Sequence, residues 1–374
     1  MDSPRERSIL DGPRGRRLCL ELAMELDPKI RTAVFQLGYD LDPEAGRSRV
    51  AFSFSSDDEA EDDAESRPDE SAPDQTPEQL AVALGHLELA LLTEKMAHAA
   101  LAQSVDTARY WQAPDGEDVL AALPVIRAEL TPLADHLAAL PGVEWWARPR
   151  AAEQWAIDWR PVSEPAPASF NPKNTLASWA RAVREEETTA AIERPVDPHA
   201  NWSGSWWSIP PRGIMQTVGQ IPAALDLVED FPGFEHATTT PASGAGRTFE
   251  IRSADDWIAL CRDFPLEVTA SRRHDWFRVT SRDGRWVVPD WSRVGDRWDA
   301  VHLTVVGYLS SATRALYVDD TTATMIAGWD PDATFWLTDV ARVWEGPLRA
   351  WHRGDNGFVP APVVPPTHAR IVET

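Results

Sequence analysis

Eighteen of the 374 residues are Trp, where an ordinary chain carries about one in a hundred. Most follow residue 145: Trp145-Trp146, Trp155, Trp159, Trp202, Trp206-Trp207, Trp276, Trp286, Trp291, Trp298, Trp329 and Trp336. An indole has a large apolar body, and its N–H seeks one partner. So many of them require either an unusually aromatic core or a stacking surface. Neither outcome names a reaction.

The chain is long enough for two or three cores. Its net charge is −23, and the run Asp57 to Glu78, with 11 acidic residues and one Arg, supplies −10 of it. The mean field therefore repels phosphate, so bulk attraction to nucleic acid or anionic lipid is not expected. Two cysteines, Cys19 and Cys261, argue against a disulfide scaffold and fit a reducing, cytoplasmic compartment. The first 20 residues are Arg-rich without the apolar stretch of a secretory leader, and no run of 18 apolar residues suggests a membrane span. Lys is confined to Lys29, Lys95 and Lys173, which with the abundant Ala points to a GC-rich bacterial genome.

The pattern along the chain predicts an α+β protein in four parts: a small β region over 1–55, an acidic linker over 56–76, a helical hairpin with a Trp-rich connector over 77–160, and an α+β domain with a Pro-rich tail over 161–374. Leu18, Leu20, Leu22, Met24 and Leu26 alternate, as do Ala33, Phe35, Leu37 and Val50, Phe52, Phe54, the period of a half-buried strand. Residues 56–76 lack the apolar side chains that would offset ordering entropy. Thr76, Pro77 and Gln79 start a helix with a capping box, which the Leu spacing carries to about Trp111. A second helix follows the turn at Pro114-Asp115-Gly116, interrupted by Pro124 and Pro132. The Glu185-Glu186-Glu187 run reads as the solvated face of a helix from Thr175 to Ile192. In the C-terminal part, strands are expected at Thr248–Ile251, Leu266–Thr269, Trp276–Thr280, Arg285–Val288, Val301–Val306, Ala315–Asp319, Thr324–Ala327 and Thr334–Leu337. Short helices are expected at Ile221–Glu229 and from Ser253 to about Phe264. Asp283-Gly284 is a hairpin signal, and the sheet is expected to be antiparallel.

Phosphate loops, dinucleotide-binding turns, zinc-protease and serine-hydrolase elbows are absent from the sequence, so no cofactor is assigned and no metal ligands are predicted. The strongest candidate site is the stretch from Arg272 to Arg297, with seven Arg against four Asp and the rings of Trp276, Trp286 and Trp291. Guanidinium forks bind carboxylates and phosphates, and indole faces stack bases or sugars. Arg272, Arg273, Trp276, Trp286 and Trp291 are therefore the ligand-binding candidates. His274 and His302 are candidate bases. Glu250, Asp330 and Asp332 are candidate carboxylate partners, Asp330 and Asp332 flanking a Pro in a turn. A carboxylate beside His274 or His302 would complete an acid–base pair.

Two function classes fit. One is a binding or interaction protein whose Trp- and Arg-rich C-terminal surface docks a protein partner or a small-molecule ligand. The other is an enzyme acting on a nucleotide-like or phosphorylated small molecule by glycosyl- or ADP-ribosyl-transfer chemistry, with its site in residues 250–340. The sequence leaves the oligomeric state open.

Overall fold

The computed structural model describes residues 8–43, 75–160, 171–344, 348–355 and 357–361. The expected strand at Val50, Phe52 and Phe54, the acidic stretch up to residue 74 and the tail beyond 361 lie outside the described residues.

The N-terminal region is helical, not a small β-sheet. Helix α1 (Pro13–Leu26) starts with Pro at its first turn, and α2 (Pro28–Leu41) starts behind the Asp27 cap. Alternation misled here because α1 is buried on most of its circumference. Arg14, Arg17, Leu18, Cys19, Leu20, Leu22, Ala23 and Met24 are all inside, so apolar residues fall on every face. The stretch contains no β-branched residue and is rich in Leu, Ala, Glu and Arg, the composition of a helix. In α2 the buried residues Ile30, Val34 and Leu37 follow helical spacing, and Phe35 is exposed.

The single helix expected from residue 77 is instead two. The Thr76–Gln79 capping box opens α3 (Pro77–Leu84), which stops at Gly85. Glycine lowers helix propensity, and after it a 3-10 turn at Leu89–Leu91 redirects the chain. The Thr93 hydroxyl then caps α4 (Glu94–Asp106). Helices α5 (Gly116–Ala122) and α6 (Pro124–Ala138) follow, with Pro124 starting α6 and Pro132 inside it. Helix α1 is the axis of this region and packs on α2, α4, α5 and α6.

After β1 (Gln154–Asp158) comes α7 (Pro172–Glu193), then β2 (Met215–Val218), β3 (His236–Gly244), β4 (Thr248–Ile251), α8 (Ala254–Asp263), β5 (Pro265–Glu267), α9 (Thr269–Thr280), β6 (Arg285–Pro289), α10 (Trp291–Gly295), β7 (Ala300–Leu303) and α11 (Val305–Ser311). The chain closes with β8 (Leu316–Tyr317), β9 (Thr322–Thr324), β10 (Ala333–Trp336), β11 (Ala341–Val343), β12 (Arg349–Gly354) and β13 (Gly357–Pro360). A nine-stranded sheet runs β13-β12-β3-β1-β2-β10-β7-β4, with β11 on the flank of β3, and a four-stranded sheet runs β5-β6-β9-β8. Both are mixed, because β4–β7 and β6–β9 are parallel. The fold is thus α+β, with a mixed sheet arrangement where an antiparallel one was expected.

Residues 276–280 are not a strand. They end helix α9, whose buried positions Ala270, Ser271, Arg272, His274, Asp275, Trp276 and Val279 follow helical spacing. Of the stretch Ile221–Glu229, only Ala223–Asp226 forms a 3-10 turn.

The helical region and the large sheet share one core. Leu18, Leu22, Leu101 and Leu130 belong to the same buried cluster as Trp257, Trp291, Trp329 and Phe335. Most buried indole N–H groups find a partner. Trp257 donates to Thr324 Oγ1 (3.0 Å), Trp329 to the Ala333 carbonyl (3.2 Å), Trp336 to Thr217 Oγ1 (2.8 Å) and Trp351 to Thr239 Oγ1 (2.9 Å). Much of the Trp excess is therefore spent on the core.

Candidate functional site

The sheet register brings three of the candidate residues together. Parallel pairing of β4 with β7 sets Glu250 directly beside His302. The turn at Asp330-Pro331-Asp332 precedes β10, which pairs with the other edge of β7. Its end is pinned by the Asp332 N–H donating to the Leu303 carbonyl at 2.9 Å. Glu250 Oε2 lies 2.7 Å from His302 Nδ1, and Asp332 Oδ1 lies 3.4 Å from Nε2. Both carboxylates are held in turn. Glu250 accepts from the Arg150 N–H at 3.1 Å, and Asp332 Oδ2 accepts from the N–H groups of Gly219 (2.8 Å) and Gln220 (3.0 Å). Asp332 takes a left-handed φ of +63°, a strained state for a residue with a Cβ.

Burial opposes a charged His302 ring, but hydrogen bonds to Asp332 and Glu250, and their negative charge, outweigh it and hold the pKa above the usual value. A ring with no exposed surface and both nitrogens engaged offers no face to a substrate. His302 thus ties β4, β7 and the turn that carries Asp330 together.

Asp330 stands at the other end of that turn, on the wall of a cleft of about 120 Å³ shared with Trp155, Ile157, Trp159, Gln216 and Leu227. Its Oδ1 accepts from the Glu229 N–H at 3.1 Å, and its Oδ2 faces Gln216 Nε2 at 3.5 Å. Burial raises the Asp330 pKa to about 6. Glu229 is pushed further, to about 8, by burial and by the charge of Asp330. Its carboxyl accepts from the Tyr110 hydroxyl. Trp155 and Trp159 reach the cleft from β1 and its C-terminal end, where alternate residues share a face.

The Arg- and Trp-rich segment is built differently from the binding surface expected of it. Trp276, Trp286 and Trp291 have no exposed surface. The Trp276 N–H donates to the Trp206 carbonyl at 2.9 Å, and that of Trp291 to the Ser208 carbonyl at 3.1 Å. Trp286 meets Trp276 edge to face at 5.1 Å, with the Arg282 guanidinium over its ring at 4.8 Å. Arg272 is buried and pairs with Glu186 at 3.3 Å, and Arg273 donates to the Val196 carbonyl at 2.8 Å. His274 is buried, and burial together with Arg273 and Arg278 lowers its pKa. The three rings and Arg272 are thus interior, while Arg273 and Arg282 are partly exposed. The carboxylates within hydrogen-bond reach of a candidate histidine belong to His302 and not to His274.

The Glu185–Glu187 run holds a signal that sequence reading passed over. Glu187 is not a solvated group. Its two oxygens accept the N–H groups of Ala270 (2.7 Å) and Ser271 (2.8 Å), at the open end of α9. A carboxylate there satisfies orphan donors and opposes the helix dipole. Glu186 bridges Arg194 and Arg272. Among the described residues no group of three or more His, Cys, Asp or Glu side chains forms a metal site, and no helix is long and apolar enough to cross a membrane.

In comparisons with known proteins, the chain matches no family model, no curated protein and no solved structure.

Proposed function

We propose that the working site is the Asp330 cleft, and that the chain carries out acid-assisted transfer or hydrolysis at a sugar-like ring. One observation carries this reading: a carboxyl with a pKa of about 6 on the wall of a cleft shared with two indoles and an amide. Indole faces pack on the C–H faces of a sugar, and Gln216 supplies an amide donor and acceptor for its hydroxyls. A protonated carboxyl supplies the proton that a leaving oxygen needs, and the most effective acid has a pKa near the working pH. A cavity of about 150 Å³ is known to hold a benzene ring. The cleft of about 120 Å³ therefore takes part of one ring, with the remainder outside.

The His302 tie supports this role indirectly, since it fixes the turn from which Asp330 projects. This reading keeps the enzyme class that the sequence suggested and moves the ring-binding wall from Trp276, Trp286 and Trp291 to Trp155 and Trp159.

A panel of aryl glycosides, assayed between pH 4 and 8, tests the proposal. Turnover should fall as pH rises past about 6 and vanish in Asp330→Asn, while a sugar product still binds that variant. Absence of turnover with sugar binding retained would leave a binding protein. Absence of both would remove the sugar reading.

A further inference from the structure

A second cleft, of about 440 Å³, opens between the helical region and the sheet domain. It is built from α1, the segment between α4 and α5, α5, the end of α9 and the loop after α11. Arg14, Arg16, Arg109 and Arg314 line it against Asp115 and Asp118. Four guanidinium groups thus face one opening in a chain of net charge −23. The volume lies within the range of small-molecule sites, roughly 300–1,000 Å³.

Most of these charges are already satisfied within the fold. Arg14 binds Asp118, the Ser104 carbonyl (3.0 Å) and the hydroxyls of Thr107 (3.1 Å) and Thr313 (3.2 Å). Asp115 pairs with Arg17 at 3.0 Å, and Arg109 with Asp230 at 3.3 Å. Arg16 differs. Its Nη1 donates only to the carbonyls of Leu10 (3.0 Å) and Asp11 (3.2 Å), and its buried Nε has no partner among the described residues. Burial, together with the positive charge of Arg127, Arg314 and Arg14, lowers the Arg16 pKa to about 10. A half-buried guanidinium crowded by like charge, with a buried Nε that lacks a partner among the described residues, is stabilised when an anion joins it.

We infer that this cleft binds a phosphate monoester. The phosphate offers acceptors for the forked donors of Arg16. The organic part rests on the apolar wall of Val119, Leu123, Val279 and Ala315. The site is distinct from the Asp330 cleft and does not depend on the chemistry proposed there. A bound ester would touch both the helical region and the ends of α9 and α11, and so tie the two together.

The test is calorimetric titration of the full-length chain, in phosphate-free buffer, with AMP, adenosine and inorganic phosphate. AMP should bind, with affinity falling as salt is raised. It should bind more tightly than inorganic phosphate, and adenosine should not bind. Arg16→Gln should weaken AMP by at least about tenfold, the loss of one charge-assisted contact. Ala122→Phe, on the exposed rim of the cleft, should weaken it without removing a charge and decides the matter if Arg16→Gln fails to fold. Arg247→Gln, outside the cleft, and Asp330→Asn should bind AMP as the parent does. The inference is overturned if AMP does not bind, if adenosine or inorganic phosphate binds as well as AMP, or if Ala122→Phe and a folded Arg16→Gln both bind AMP undiminished.

Discussion

Glu250 and His302 stand side by side on parallel strands, 2.7 Å apart, 52 positions apart in sequence. With Asp332 on the far side of the ring, they fasten the edge of the large sheet to the turn that bears Asp330. This arrangement makes predictions about stability that do not depend on any substrate.

Removing the ring strands two carboxylates that are 16% and 10% exposed. His302→Ala should destabilise the fold by about 3 kcal/mol, the magnitude expected when one partner of a buried charged network is removed. Urea unfolding measures it. A change below about 0.5 kcal/mol, the scale of an ordinary surface substitution, would mean that the tie is not an ion pair in solution.

Stability should fall as pH rises. The folded pKa lies above the ordinary value for Asp330 (about 6 against 3.8), for Glu229 (about 8 against 4.5) and for His302. A group of this kind binds protons more tightly when folded. Its contribution is complete below the unfolded pKa and is lost as pH climbs through the folded one. Asp330 loses its contribution between about pH 4 and 6, and Glu229 between about 4.5 and 8. Unfolding midpoints should decline across that window, and Glu229→Gln should flatten the upper half. Midpoints that rise from pH 5 to 8 would contradict the burial of these carboxyls.

Glu187 should behave as a helix cap. Glu187→Ala frees two N–H groups at the start of α9 and should cost about 1 kcal/mol, in the range of capping substitutions. Glu185→Ala, a neighbour with no such bonds in the described structure, should be close to neutral. Equal effects of the two would return the run to a solvated face.

Trp276 and Arg273 separate core from surface. Trp276→Ala should cost about 3–5 kcal/mol, as large buried rings do, whereas Arg273→Ala, whose guanidinium bonds one carbonyl, should cost under about 1 kcal/mol. Chemical denaturation of both variants tests this. Comparable small losses would put the indole back on a surface.

Much of the C-terminal half was legible in the sequence because local chemistry agreed with the fold. Thr248–Ile251, Arg285–Pro289 and Ala333–Trp336 carry the β-branched and aromatic residues of strands, and the Thr76 box marked α3 correctly. The N-terminal helices were misread because alternation is ambiguous once a helix is buried on nearly every face, as α1 is. Helix α9 was misread because Trp, Phe and Val near its end resemble a strand, while packing against α7 and β6 sets its conformation. At the site, residue types picked out Glu250, His302, Asp330 and Asp332, but their distances depend on register across strands. Trp155, Trp159, Gln216 and Glu229 could not be linked to Asp330 from sequence. They approach from β1, β2 and the 3-10 turn, over 100 residues away along the chain. Arg16 gave no signal at all, since a guanidinium in an Arg-rich N-terminus looks like any other.

The most direct test of the proposed site is a carbon-13 carboxyl NMR titration of Asp330, assigned with Asp330→Asn. A midpoint near 6 is expected, shifted when a sugar is added. A midpoint near the ordinary Asp value of about 3.9, unmoved by sugar, would place Asp330 in open solvent and remove the acid from the cleft.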